Sequence, residues 1–254
     1  YTNNRMNHDS SLGQRLIEFG LVYELNFIGK NGFKSKIVTP MQGNMFYDEY
    51  DDVRAHLMDT VNELKSAGHE VQLSSHAIDE KDGLYIDSLY IPATDKQTNL
   101  IVITTGVHGI EGYIGSVMLD VFWKEIYASE INKANTGVLV VANVNPYGMK
   151  YHRRYNENNV DLNRNFILDW NSFDKTVNKD YPKVGSFLGP KETMGNIIGH
   201  ELSFYGSMIK ELIEDGADTI SNALLGGQYE APEGVYYGGN GDEASTTYLK
   251  DVFK

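Results

Sequence analysis

The residues of this chain best suited to chemistry lie in "TTGVHGIEGYIG", where His108 and Glu111 stand three apart among Gly106, Gly109 and Gly112. An imidazole nitrogen and a carboxylate oxygen converging on one point supply two ligands of a metal site, and the glycines let the loop curl enough to bring them together. The plainer alternative is that His108 caps the following helix or satisfies a buried carbonyl. No cysteine occurs in the 254 residues, so thiolate catalysis, disulfides and Cys-ligated zinc are excluded, and any metal falls to His, Asp and Glu.

A second concentration of chemistry is "NVNPYGMKYHRRYNENNVDLNRNF", with Arg153, Arg154 and Arg164 set among Asn156, Asn163 and Asn165. Guanidinium forks bind carboxylates bidentately, and asparagine amides add directional bonds without charge, so the stretch reads as an anion pocket. The alternative is that these arginines pair with Glu157, Asp161 and surface acids. The chain as a whole is acidic, with 35 Asp and Glu against 22 Lys and Arg and a formal charge of −13. That balance gives no general attraction to nucleic acid or to an anionic membrane. No stretch approaches the roughly 18 to 20 apolar residues of a membrane span, and compartment stays open.

Elements must position these residues. "YDEYDDVRAHLMDTVNELKSAG" repeats apolar residues at Val53, Leu57, Met58, Val61 and Leu64, the period of an amphipathic helix, with Gly68 as its stop. "HEVQLSSHAI" and "LYIDSLYIP" are strand candidates, and the latter alternates. "NLIVITTG" and "GVLVVANV" are continuous apolar runs, the pattern of central strands covered on both faces. The segment from Ile114 to Tyr127 between them is a crossover helix, so strand, helix and strand make a parallel βαβ unit. In such a unit functional groups collect beyond the carboxyl ends of the strands, which is where His108 and the arginine loop fall. Residues 1–45 form an unassigned N-terminal extension with one amphipathic piece, "LGQRLIEFGLVYELNFIG", that reads as a helix. "ETMGNIIGHELSFYGSMIKELIEDG" is a further helix candidate, and "DEASTTYLKDVFK" reads as a helix whose apolar repeat has just begun when the sequence stops.

With these motifs in place, the chain resembles the zinc metallocarboxypeptidases. It is most similar to a largely uncharacterised bacterial branch known only as a domain of unknown function, over roughly residues 46 to 240. The resemblance rests on "GVHGIEGYIGS", "NPYGMKYHRRYNENNVDLNRNF" and "GGQYEAPEGVYYGGN". It implies a three-layer α/β/α domain over 46–254 with a mostly parallel mixed sheet, and Zn2+ held by His108 and Glu111. It also implies that Arg154 polarises the scissile carbonyl, and that Asn163 and Arg164, with Asn156 beside them, hold a substrate carboxylate. The partner implied is a small peptide or acyl-amino acid with a free carboxylate.

The family also has a third zinc ligand, a histidine on a later strand, and a glutamate that acts as general base, and neither is found here. The expectation is that the domain is incomplete at its C-terminal end. His200 lies inside a helical pattern, His152 reads as a loop or pocket residue, and His8, His56, His69 and His76 show no convergent partner. Three functions therefore compete: a carboxypeptidase-like zinc peptidase, an N-acyl-amino-acid deacylase of the desuccinylase and aspartoacylase kind, and a non-catalytic carboxylate-binding domain.

Overall fold

The structure is a computed structural model that describes residues 24–29, 32–37, 47–188, 206 and 216–254. It divides into two units, Tyr1–Tyr47 and Asp48–Lys254. In the first, β1 (Glu24–Gly29) pairs antiparallel with β2 (Gly32–Ile37). The helix expected over 12–29 is therefore wrong for its last six residues. Leu25 and Phe27 alternate with Glu24 and Asn26, a local pattern of period 2 that outranks the weak helical one. The rest of that piece lies outside the described residues, as does the 192–216 helix candidate except Gly206 and Gly216, and His200 with it.

In the second unit, α1 (Tyr50–Ser66) precedes the antiparallel pair β3 (Gln72–Asp79) and β4 (Leu84–Ile91). Next come β5 (Asn99–Thr104), α2 (Gly112–Val121) running on as a wider π turn over Phe122–Tyr127, and β6 (Thr136–Ala142). Four short helices follow among the described residues, α3 (Pro146–Lys150), α4 (Tyr181–Leu188), α5 (Gly216–Leu225) and α6 (Ala244–Val252). The sheet order is β3-β4-β6-β5, with β5 parallel to β6 and the other neighbours antiparallel. The sheet is mixed, as expected, but among the described strands one pairing of three is parallel. β5 also departs from its expected central place, because it stands at the edge of the described sheet with Leu100 and Val102 nearly half exposed.

Alternation in β4 and β6 serves two cores. Leu89, Ile91, Val138, Val140 and Ala142 face Leu57 and Val61 of α1 and the Leu119, Phe122, Trp123 and Tyr127 ridge of α2. On the opposite face Ile86 and Val141 meet Val160, Leu162, Tyr237 and Leu249 of α6. Helices thus cover both faces, which makes the domain a three-layer α/β/α structure. One buried charge sits between the layers. Asp87, fully buried on β4, takes two bonds from Arg54 of α1 at 2.7 and 3.0 Å and one from the Ser75 hydroxyl at 2.5 Å. His56 and buried Asp120 join α1 to α2 at 2.7 Å, so His56 does have a partner that the sequence did not reveal.

Candidate active site

The carboxyl ends of β5 and β6 are stitched together beyond the sheet. Val144 N–H donates to Thr105 O, and Asn145 N–H to Gly106 O at 2.7 Å. From there the chain enters a 3-10 turn, Gly109–Glu111, whose first amides donate to the arginine loop: Gly109 N–H to Arg154 O and Ile110 N–H to Arg153 O. Only glycine fits at 109, since a Cβ there would lie 2.0 Å from the carbonyl carbon of Gly148. Buried Asn145 caps α3 through Gly148 N–H and donates its amide to the same Arg154 carbonyl at 3.1 Å. The two motifs, 43 residues apart at Glu111 and Arg154, are therefore fixed to one another by backbone.

Four side chains close into a ring. His108 Nδ1 lies 3.1 Å from Glu111 Oε2, and its Nε2 lies 3.0 Å from Asp161 Oδ1. Arg154 closes the circuit, donating from Nη1 to Glu111 Oε1 at 3.2 Å and from Nε and Nη2 to Asp161 Oδ2 at 3.3 Å. Asp161 is fully buried and caps the 3-10 turn Leu162–Arg164 by accepting from Asn163 N–H. Hydrogen bonding to Asp161 raises the pKa of His108, against the opposing effect of burial, and Glu111 adds to the rise. Burial alone would raise the Asp161 pKa, but the hydrogen bond and charge of His108, with the charges of Arg154 and Arg164, hold it below the ordinary aspartate value.

The ring tests the fit of a metal. Two donors 3.1 Å apart can share one ion at the 2.0–2.2 Å distances of zinc to nitrogen and oxygen. The buried carboxylate on the far nitrogen is the partner that fixes a ligating imidazole's tautomer and orientation. Among the described residues no group of three His, Asp or Glu could hold an ion. The ring supplies a two-donor half-site, and Asp161 lies on the wrong side of the imidazole to be a third.

Arg164 is placed differently. Its chain runs over Gly227, where a Cβ would come within 2.6 Å of Arg164 Cδ, and its carbonyl accepts from Tyr229 Oη at 2.8 Å. Nη1 donates to Asn163 O, while Nε is buried with no hydrogen-bond partner among the described residues. Among the described residues it makes no ion pair, and Asn163 beside it is exposed. Asn156, expected beside the carboxylate pocket, sits deeper in the loop. This residue is 4% exposed, its amide donates to Glu243 Oε2 at 2.8 Å and its carbonyl oxygen accepts from Val160 and Asn158 N–H, so it braces the loop. Buried Asn165 braces the loop likewise, donating to Gly238 O and Gly241 O and accepting from Glu243 N–H. His152 is exposed, stacks on Tyr113 and meets Asp48 O, outside the ring. The sequence alone offers Asp161 as an alternative ion partner of the arginines. Its position two residues before Asn163, where an aspartate caps a turn, was the available signal of its role.

A family model described as "Protein of unknown function (DUF2817)" matches residues 46–254. No curated protein matches the chain. Among solved structures it is similar to bovine thrombin-activatable fibrinolysis inhibitor in complex with tick carboxypeptidase inhibitor, at 16% identity and a TM-score of 0.37, over 48% of this chain and 43% of that one. Carboxypeptidase A from Helicoverpa armigera matches at 16% and 0.39, over 58% and 46%. A metallo-carboxypeptidase from Burkholderia cenocepacia matches at 15% and 0.35, over 60% and 41%. The chain thus spans less than half the length of each of these structures.

Proposed function

We propose, for a chain that belongs to the DUF2817 family, that the ring is the site of a zinc-dependent hydrolase cleaving an amide bond next to a free carboxylate. The observation that carries the proposal is the double engagement of His108, with Nε2 on buried Asp161 and Nδ1 turned to Glu111. That arrangement orients an imidazole as a ligand, which a capping histidine would not need. His108 Nδ1 and Glu111 Oε2 would hold the ion, and a bound zinc supplies Lewis acidity at neutral pH. Arg154, anchored by Asp161, presents donors beside Glu111 where negative charge would develop on a carbonyl oxygen. Arg164, which makes no ion pair among the described residues, and Asn163 would take the substrate's carboxylate as a fork.

A second reading has its own support. Among the described residues no third donor joins His108 and Glu111, and a carboxylate-binding domain built on Arg164 fits the same geometry. Equilibrium dialysis with zinc, followed by a panel of N-acyl amino acids and short peptides, separates the two. The hydrolase reading expects zinc retention that His108→Ala abolishes, and zinc-dependent turnover. Equal zinc retention by the parent chain and His108→Ala, with carboxylate binding intact, leaves the binding domain.

A further inference from the structure

We infer that Tyr236 is a positioning residue for Arg154, an inference that rests on the hydrolase reading above. Tyr236 has φ of 59°, a left-handed conformation that a bulky side chain adopts at an energetic cost. Such a residue persists where its surroundings over-determine it, and these outliers cluster where a side chain must be aimed.

Here the surroundings do over-determine it. Tyr236 N–H donates to Tyr155 Oη at 3.1 Å, and its carbonyl accepts from Gln228 N–H at 2.9 Å. Gln228, 3% exposed, spends its whole side chain on the same loop, donating to Ala231 O and Val235 O and accepting from Glu230 and Ala231 N–H. Asn159 fastens the loop from outside through Pro232 O and Gly234 O. All this fixes a half-buried ring whose centroid lies 5.8 Å from the guanidinium carbon of Arg154. That distance is within reach of a cation–π contact. Residues 154 and 155 therefore both engage Tyr236, one by its charge on the ring and the other by its hydroxyl on the backbone. A ring needed only for packing could sit on an unstrained backbone. This ring is placed at the guanidinium that faces Glu111, so the loop 228–236 restricts where Arg154 can point.

The test compares Tyr236→Gly, which removes the ring and relieves the backbone, with Tyr236→Phe, which keeps the ring. Thermal unfolding is measured together with the Nε–H resonance of Arg154, assigned by its loss in Arg154→Lys. Tyr236→Gly should melt at the parent temperature or a few degrees higher, because glycine adopts positive φ freely. Its Arg154 Nε–H should nevertheless exchange at least fivefold faster with solvent, and Tyr236→Phe should restore the parent rate. A purely structural ring would lower the melting temperature by several degrees in the glycine variant, and that result overturns the inference. So does an unchanged Arg154 signal. Zinc-loaded parent protein that turns over no N-acyl amino acid or peptide counts against the hydrolase reading, while the Arg154 signal still decides the role of Tyr236.

Discussion

In the proposed site, the ligand role of His108 rests on what its second nitrogen does. Asp161 takes Nε2 from within the fold, so Nδ1 is presented to Glu111 and to whatever stands beside it. Replacing Asp161 by Asn removes the charge but not the shape, and it should weaken zinc retention by about 10- to 100-fold, the effect of losing a ligand's carboxylate partner. Titration calorimetry with zinc checks this, and an unchanged affinity would detach Asp161 from the site. Arg164 should behave independently. Arg164→Ala is expected to weaken binding of an N-acyl amino acid by about 1.5 to 3 kcal/mol, the scale of a lost charged hydrogen bond, and to leave zinc affinity nearly unchanged. Arg154, tied at the same time to Glu111, Asp161 and Tyr236, should not separate the two properties so cleanly.

At the scale of elements, the site depends on a close approach of two loops. Gly109 presses on Gly148, which starts the turn into Arg153 and Arg154. Gly109→Ala must push backbone apart and should cost about 2 kcal/mol or more, as a buried clash does, and should lower zinc retention with it. Gly241→Ala, with nothing within 4 Å of the added methyl, should stay within about 0.5 kcal/mol. Urea unfolding of both variants makes the comparison, and equal losses would show that the loop contact does not matter. A second seam holds α1 to the sheet. Arg54→Ala leaves the fully buried Asp87 carboxylate without its bidentate partner and should cost about 3 kcal/mol, the scale of a broken buried pair.

The whole molecule should register the ring in its stability against pH. Asp161, held below its ordinary value, contributes stability that is present above the unfolded aspartate pKa of about 3.9 and is lost as pH falls through the folded one. His108, held above its ordinary value, contributes stability that is complete below about 6.5 and is lost as pH rises through the folded pKa. In metal-free protein the two contributions overlap between roughly pH 4 and 6.5. Unfolding free energies from pH 3 to 8 should show a local maximum there that flattens in Asp161→Asn. Zinc should shift that maximum upward in pH, because binding requires the unprotonated imidazole.

How much of this was legible in the sequence follows from distance along the chain. The approach of His108 to Glu111 is a three-residue affair governed by local turn geometry, so the motif alone could suggest it. Strand and helix positions were legible for the same reason, since the periods at α1, β4 and β6 are properties of short windows. The lack of an ion pair at Arg164 among the described residues and the bracing role of Asn156 were not. Both depend on residues more than sixty positions away, Gly227 and Tyr229 for the one and Glu243 for the other. An asparagine reads identically whether its amide faces solvent, ligand or a buried carboxylate. The place of β5 was hidden too, because a continuous apolar run records burial pressure but not which neighbours supply it. By itself, then, the sequence determined the residue types, the local periods and an acidic chain whose arginine loop stands apart. Only tertiary structure decided which nitrogen of His108 faces Asp161, which guanidinium is already paired, and which aromatic ring is held against its backbone preference. Those are choices among long-range partners, settled by which contacts the packed layers allow to close at once.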